Sequence, residues 1–175
     1  MKSKHQQIGV NLVELMVGIS IAALSLAVGV PSFESLRTRS DRSSAMIELI
    51  SAARLARSEA ALRGSVYTLC ASADGTTCSR SADWSTGWIV FADPDANGAV
   101  ANQTDVVKVV TFVNPQFTLT ADNDIGGSIT FGTFGYATPS YGQLKYMDHQ
   151  TTRLVQLNYI GRLHVNKTRV KEEPS

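Results

Sequence analysis

The residues from 15 to 30 carry no charged side chain, and this apolar run constrains the chain more than any other feature. A helix of about 20 apolar residues, rising about 1.5 Å at each, spans the roughly 30 Å hydrocarbon core of a bilayer. The run is longer than the apolar region of an ordinary cleaved secretory signal. The sequence therefore predicts a transmembrane or filament-core helix over residues 10–31.

A single carboxylate, Glu14, lies at the N-terminal edge of this run, after a short basic leader that ends at Gly9. A charged side chain in lipid costs about 2.5 to 3.5 kcal/mol at the bilayer centre and less at the edge, so the position of Glu14 requires a reason. If the chain is cut after Gly9, the new amino group of Val10 lies about one helical turn from Glu14. A neighbouring copy would offer a second amine. Alternatively, Glu14 simply reaches the lipid headgroups.

The helical pattern continues beyond Pro31. Apolar residues recur at spacings of three and four with charged residues largely off that face, which predicts an amphipathic half-helix over 32–63. The apolar positions are Met46, Leu49, Ile50, Ala53, Ala56 and Ala60. Gly64 follows, and glycine readily adopts the positive φ that ends many helices. One helix over roughly residues 11–62 is then expected. Its first half would lie in the membrane or the filament core, and its second half would cover a soluble domain.

After Gly64 the sequence changes to short β-rich runs between turn residues, which predicts a compact antiparallel β domain over 64–175 and an α+β fold. The predicted strands are 66–70, 88–91, 106–112, 117–120, 128–131, 153–159 and 162–165, with a turn at 132–135. The sequence has no nucleophile elbow, phosphate loop or paired-carboxylate cleft, and its three His and two Cys are too few for a clustered zinc site. We therefore expect no enzyme activity, no cofactor and no metal.

The segment at 9–17, Gly-Val-Asn-Leu-Val-Glu-Leu-Met-Val, closely resembles the type III signal of type IV pilins and pseudopilins. The resemblance implies that prepilin peptidase cuts after Gly9, on the cytoplasmic side of the inner membrane, and methylates the new amino terminus at Val10. The family usually has Phe in place of Val10 and Thr in place of Asn11. Pro31 falls where many pilins have a helix-kinking proline.

Later segments are similar to the GspH/FimT/FimU type of minor pilin domain. They are Leu-Ala-Arg-Ser-Glu-Ala at 55–60, Val-Tyr-Thr-Leu-Cys at 66–70, Trp-Ser-Thr-Gly-Trp-Ile-Val-Phe-Ala-Asp at 84–93, Ile-Thr-Phe at 129–131 with Gly135, and Gly-Arg at 161–162. With the leader, the resemblance covers nearly the whole chain. It implies a type IV pilin-like fold, in which the long helix packs on the β domain.

The same resemblance implies a structural subunit of the inner membrane, with a single span and a periplasmic C-terminal domain. Its partners would be prepilin peptidase and other minor and major pilins, and it would help to initiate assembly near the tip of a type IV pilus. The H-type minor pseudopilin of type II secretion shares the leader, the helix and the β domain, so it stays open as an alternative.

In a periplasmic domain, Cys70 and Cys78 are expected to form a structural disulfide across a short loop. Trp84 and Trp88 are expected in the core. The segment at 93–98, Asp-Pro-Asp-Ala-Asn-Gly, matches the start of a calcium loop, but the twelfth position is Thr104 rather than Glu. This favours an ordinary turn over a calcium site.

The region from 153 to 171 carries five Lys and Arg and no acid, whereas the middle of the chain is rich in Asp. Its first part predicts a hairpin that turns at 160–161. Some FimT proteins of naturally competent bacteria have a Gly-Arg-x-Arg motif here and bind DNA through it, whereas this chain has His164 in place of the second Arg. The candidate DNA contacts are Arg162, His164, Lys167, Arg169 and Lys171. A solvated hairpin and tail is the alternative, and a net charge of +1 excludes binding by bulk charge alone.

Overall fold

The computed structural model describes residues 11–113, 115–148 and 151–166, and within these ranges it describes the side chains of all but 23–43. The chain divides into two compact units, Met1–Asp41 and Arg42–Ser175. Its α-helix, α1, spans Leu12–Arg63, close to the predicted bounds, and Gly64 follows at φ 61°. The backbone is helical through residue 31, and the kink at Pro31 stays a prediction. No helix among the described residues has an apolar stretch long enough to cross a membrane.

The part of α1 in the second unit buries one face against the β domain. The buried positions are Ala45, Met46, Leu49, Ala52, Ala53, Ala56 and Ala60. Five of these seven side chains are alanine, so the helix backbone lies close to the strands, and most of the apolar volume comes from the sheets. Five of the six predicted apolar positions, Met46, Leu49, Ala53, Ala56 and Ala60, lie on this buried face.

Nine strands follow the helix within the described residues. They are β1 Tyr67–Ala71, β2 Gly87–Ala92, β3 Val106–Thr111, β4 Phe117–Ala121, β5 Ser128–Phe131, β6 Ala137–Thr138, β7 Gly142–Asp148, β8 Thr152–Leu157 and β9 Leu163–Asn166. A 3-10 turn, Gln103–Asp105, precedes β3. All strand pairs are antiparallel, and the α+β prediction is confirmed.

The strands form two sheets. The first has five strands in the order β3-β2-β1-β5-β6, and the second has four in the order β4-β7-β8-β9. In the first sheet β1 is central, because Leu69 lies opposite Val90 of β2 on one side and Ile129 of β5 on the other. In the second sheet, β7 lies between β4 and β8, with Leu144 opposite Ala121 and Val155.

All seven predicted strands are present, with ends that shift by one or two residues, but β6 and β7 were not predicted. The seven residues of β7 alternate strictly, with Leu144 and Tyr146 buried and Gln143, Lys145 and Met147 exposed. This is the period-two pattern of a half-buried strand. The signal was therefore in the sequence, as an alternation and not as a run of β-branched residues.

A chain of aromatic rings links the two sheets. Trp88 of β2 contacts Phe112 at 5.4 Å between ring centroids, Phe112 contacts Phe117 of β4 at 5.3 Å, and Phe117 stacks on Tyr146 of β7 at 5.1 Å. Trp84 and Trp88 are both fully buried, which confirms that they belong to the core. The indole N–H of Trp84 donates to the carbonyl of Gly126 at 2.9 Å.

The first sheet is covered on both faces at its centre. β1 and the first five residues of β2 are buried at every position. In an antiparallel sheet with one solvated face, buried and exposed positions would alternate instead. On the face away from the main core, Cys70, Ile89 and Phe91 form a small cluster with Cys78, Val100 and Val106. Cys70 and Cys78 are bonded to each other, as predicted. The disulfide loop and the β2–β3 connection therefore cover this second face of the sheet.

Candidate functional site

The residues predicted for processing and assembly lie mostly outside the described part of the chain. Gly9 and Val10 are outside it, and so are Lys167, Arg169 and Lys171 of the basic tail. Glu14 is described: it lies in the first turn of α1, with its side chain exposed. An acidic side chain in the first turn is favourable there, because it faces the positive end of the helix dipole.

The predicted C-terminal hairpin is confirmed. β8 and β9 pair with Leu157 opposite Leu163, and the turn between them is closed by Asn158. The carboxamide oxygen of Asn158 accepts the N–H of Arg162 at 2.9 Å, and its carbonyl accepts the N–H of Gly161 at 2.9 Å. Gly161 has φ 74°, a conformation that glycine adopts without strain. The turn therefore fixes the backbone on which Arg162 and His164 are carried.

A pocket of about 550 Å³ lies between this hairpin and the helix. It is lined by Ala53, Arg54, Arg57, Asn158, Gly161, Arg162, Leu163 and His164. The structure thus brings together Arg162 and His164, two of the predicted DNA contacts, and adds two arginines that were not predicted. We call this the helix–hairpin pocket.

Two glycines let the loops around the helix–hairpin pocket approach each other. A side chain at Gly161 would place its Cβ 2.8 Å from the carbonyl oxygen of Gly135, and one at Gly135 would lie 3.1 Å from Nε of Arg57. Gly135 closes the turn between β5 and β6, where its N–H donates to the carbonyl of Gly132 at 2.7 Å, which confirms the predicted turn. Helix, β5–β6 turn and hairpin are therefore in close contact.

The helix–hairpin pocket is positively charged. Arg54, Arg162 and His164 are exposed and Arg57 is half-buried, and no carboxylate lines the pocket among the described residues. Within the same part of the chain, the ion pairs are Arg63 with Glu59 and Lys108 with Glu48, so none of the three pocket arginines is paired with an acid. Such a cluster attracts anions, and the planar guanidinium groups suit phosphate or carboxylate oxygens.

Arg54 and Arg57 could have been found from their spacing. They are three residues apart, so they lie on neighbouring positions of one helical surface, beside the alanine face that packs on the sheets. The spacing alone shows two solvated arginines. Only the tertiary packing of α1 on the β8–β9 hairpin shows that they share a pocket with Arg162.

The segment at 93–98 is a turn, as favoured. Asp93 is buried, and its carboxylate accepts the hydroxyl of Thr68 at 2.7 Å and the backbone N–H groups of Asn97 and Gly98 at 3.1 Å each. This carboxylate is thus engaged by protein donors. No group of three or more His, Cys, Asp or Glu that could hold a metal ion occurs among the described residues.

Asp74 organises the loop that the disulfide closes. Its carboxylate accepts the backbone N–H groups of Thr76 and Thr77 at 2.8 Å each, and these bonds hold the pKa of Asp74 well below its ordinary value. A hydrogen bond from Gln103 to the carbonyl of Thr76, at 3.1 Å, ties this loop to the 3-10 turn. The cover over Cys70 is therefore held by polar contacts as well as by the disulfide.

Comparison with known proteins gives one family and two similar structures. A family model described as type II transport protein GspH matches residues 45–161. Two crystal structures of the type IV minor pilin FimU from Pseudomonas aeruginosa PAO1 are similar at 20% sequence identity each. One covers 73% of this chain and 90% of FimU with a TM-score of 0.58, and the other covers 71% and 91% with a TM-score of 0.55. No curated protein matches the chain in sequence.

Proposed function

Because this chain belongs to the GspH family, we propose that it is a minor pilin, a structural and non-enzymatic subunit that helps to initiate assembly at the tip of a type IV pilus. The observation that carries the proposal is the two-sheet domain packed on the C-terminal half of a long helix, a fold shared with FimU over most of that protein's length. The prepilin-like signal before the helix supports it, because a subunit that is cut and polymerised needs both parts.

In this proposal the chain is inserted in the inner membrane by residues 10–31 and carries its C-terminal domain in the periplasm. Prepilin peptidase removes 1–9 and methylates Val10. The apolar half of the helix then leaves the lipid for a bundle of neighbouring pilin helices, where the Glu14 carboxylate meets the amine of an adjacent subunit. Burial of apolar surface drives the packing, and the ion pair fixes the register between subunits.

The processing step is tested by mass spectrometry of the protein from cells with and without prepilin peptidase. In cells with the peptidase we expect a chain that begins at Val10 and carries one added methyl group. In cells without it, the chain should begin at Met1. A chain that retains residues 1–9 in the presence of the peptidase would contradict the proposal.

The assembly step is tested by the variant Glu14→Ala, with Glu14→Asp as the matched control that keeps the charge. Glu14→Ala should be cleaved normally but should enter purified filaments less than the wild type, while Glu14→Asp should retain part of the incorporation. Incorporation of Glu14→Ala at the wild-type level would rule out the ion pair.

The H-type minor pseudopilin of type II secretion is the alternative assembly role, and the description of the matched family names that transport system. Deletion of the gene separates the two roles. Loss of pili and of twitching motility with normal secretion supports the pilus, and loss of secreted enzymes with normal pili supports the pseudopilus.

A second function, DNA capture by the assembled subunit, is favoured by the unneutralised cations of the helix–hairpin pocket. Contacts by Arg162, Lys167, Arg169 and Lys171 would give a duplex-binding slope of about -3 to -4 in log affinity against log salt, at about -0.9 per contact. The variant Arg162→Ala/Lys167→Ala should lower both affinity and slope. A mobility-shift titration at low salt that shows no complex would leave the assembly role alone.

A further inference from the structure

The outer edge of β3 is open. β3 is the first strand of the five-stranded sheet, and no strand among the described residues pairs with its other side. The N–H of Phe112 donates to the carbonyl of Thr86 at 2.9 Å, toward β2. Because the backbone groups of successive residues alternate in direction along a strand, those of Val109 and Thr111 face the open edge. An unpaired row of N–H and C=O groups is a template for a strand of another chain.

β3 has few of the features that block such pairing in other edge strands. Four of its six residues are valine, and it contains no proline. Its one charged side chain, Lys108, forms an ion pair with Glu48 of α1 at 2.8 Å, so this charge is directed to the helix and neutralised there. A register shift between Val90 and Phe91 of β2 interrupts the ladder only near the start of β3. The edge is therefore regular from Lys108 onward.

One face of β3 has acidic surroundings. Val109 lies opposite Ile89, on the face that carries the disulfide loop, and a Cβ at Gly75 of that loop would be 2.9 Å from Cγ1 of Val109. Asp74 directly precedes Gly75, and Asp105 directly precedes β3. The two segments beside this face contain no Lys or Arg; they are 72–79 and 93–107. Cations on this face of an added strand would therefore be favourable.

The other face of β3 is apolar. Val110 lies opposite Trp88 and packs against the main core together with Phe112, and both side chains are only partly buried. Apolar groups on this face of an added strand would cover the parts of Val110 and Phe112 that stay exposed. The open edge thus fits a strand that has cations at every second position and β-branched residues between them.

We propose that the open edge of β3 binds residues 167–171 of a second copy of this chain as an added strand. This segment alternates cations with β-branched residues: Lys167, Thr168, Arg169, Val170 and Lys171. In a strand the two sets point to opposite faces. The cations then meet the acidic face, where their aliphatic stems cover the exposed valines, and the β-branched side chains extend the apolar face.

The fold separates β3 from the end of β9 in the same copy. β3 lies near β4, because Phe112 after β3 contacts Phe117 of β4 at 5.3 Å between ring centroids. β9 is at the opposite end of the four-stranded sheet, and the turn before it contacts Gly135, beside β6, at the far end of the first sheet. A strand that starts at Lys167, directly after β9, has no linker to cross the domain, so the acceptor is another copy.

Donor and acceptor are different surfaces, so the contact is heterologous and can repeat along a row of copies. The inference goes beyond the proposed assembly role, which uses the N-terminal helix. In this contact the cations of 167–171 are not available to DNA.

The experiment is oxidative cross-linking of two full-length chains with tags of different size, mixed in detergent micelles. One chain carries Thr111→Cys at the open edge, and the other carries a single added Cys at one position from 167 to 171. Paired residues of adjacent strands have Cα atoms about 4.5 to 5.5 Å apart, within the range that a disulfide bridges. Thr118→Cys is the matched control acceptor, because Thr118 is exposed on β4, whose outer edge is already bonded to Ala82 and Trp84.

With Thr111→Cys, we expect the cross-linked dimer to form at least about fivefold more at 167, 169 and 171 than at 168 and 170, because only the first set shares the face of Thr111. Thr118→Cys should give a low yield at all five positions.

Two substitutions test the backbone and the charge contributions. Val109→Pro in the acceptor removes an outward N–H without breaking a bond to β2, so it should lower the dimer yield about fivefold or more, whereas Val109→Thr keeps the N–H and should not. Arg169→Glu in a donor that carries Lys171→Cys should lower the yield, and Arg169→Lys should retain it. The donor change lies beyond β9, so it tests the contact even if Val109→Pro does not fold.

Four outcomes would overturn the inference. They are equal yields along 167–171, a yield at Thr118→Cys as high as at Thr111→Cys, a yield that Arg169→Glu does not lower, and a cross-linked monomer when both cysteines are in one chain. The last would identify the segment of the same copy as the occupant. The processing and filament tests use other residues, so the assembly role is judged separately.

Discussion

Reduction of the disulfide between Cys70 and Cys78 should lower the free energy of unfolding by about 2.5 kcal/mol. The bonded residues are separated by eight positions. In the chain-entropy relation, a closed loop of this size lowers the entropy of the unfolded chain by about 8 cal/mol/K, which is about 2.5 kcal/mol at about 25 °C. Since small domains are stable by only about 5 to 15 kcal/mol, this is a substantial share.

The structure adds a second contribution. Cys70 is fully buried beside Ile89 and Phe91, under the loop that the disulfide closes. When the bond is broken, this loop is held by hydrogen bonds alone, chiefly those of Asp74 and Gln103, so it opens more easily and exposes the apolar cluster. We therefore expect the free energy of unfolding to fall by at least the roughly 2.5 kcal/mol that loop closure alone contributes.

The assay is urea unfolding of the full chain in detergent, followed by the fluorescence of Trp84 and Trp88, which are both buried. Wild-type protein is compared with and without reductant, and the double variant Cys70→Ser/Cys78→Ser is the control that reductant should not affect. Equal unfolding midpoints for the oxidised and reduced wild type would refute the reasoning, since the loop would then be fixed by its other contacts alone.

Three further changes have definite expected results. Leu49→Ala should cost about 2 to 5 kcal/mol of unfolding free energy in urea, because Leu49 is fully buried, and a loss below about 1 kcal/mol would mean that the helix does not pack here. Gly161→Ala should lower stability by about 1 to 3 kcal/mol, because its φ is 74° and its Cβ would lie 2.8 Å from the oxygen of Gly135; an unchanged melting temperature would contradict this. The pKa of Asp74 is lowered by backbone hydrogen bonds, so its stabilisation is complete above about pH 4 and is lost as pH falls further. The difference in the free energy of unfolding between pH 7 and pH 3 should therefore be smaller in Asp74→Ala than in the wild type. An equal difference in the two proteins would show that other groups cause the pH dependence.

Most of the fold could be predicted because its determinants are local. The spacing of Met46 and Leu49 defined the buried face of the helix, and runs such as the one around Ile89 defined strands that are apolar on both faces. β7 was missed because its seven residues include no Val, Ile or Thr, so only the alternation of buried Leu144 and Tyr146 with exposed neighbours marked it as a strand. Local composition therefore under-reports a strand that is central in its sheet but solvated on one face.

The candidate site was only half predictable for a different reason. Arg162 could be assigned from its neighbour Gly161 and from a family motif. Arg54 and Arg57 contribute to the same pocket from a helix about a hundred residues earlier, and their convergence on the hairpin is a consequence of tertiary packing. A periodicity places residues on a face, but it does not state which element lies across from that face.

The direct passage from α1 into β1 has a mechanical consequence. Only residues 64–66 separate the end of the helix at Arg63 from Tyr67, the first residue of the central strand of the five-stranded sheet. Tension applied along the helix therefore enters a strand that is hydrogen-bonded to β2 on one edge and to β5 on the other. To extract that strand, a pulling force must break both ladders, so the domain is attached to its helix through a strand that is held on both edges.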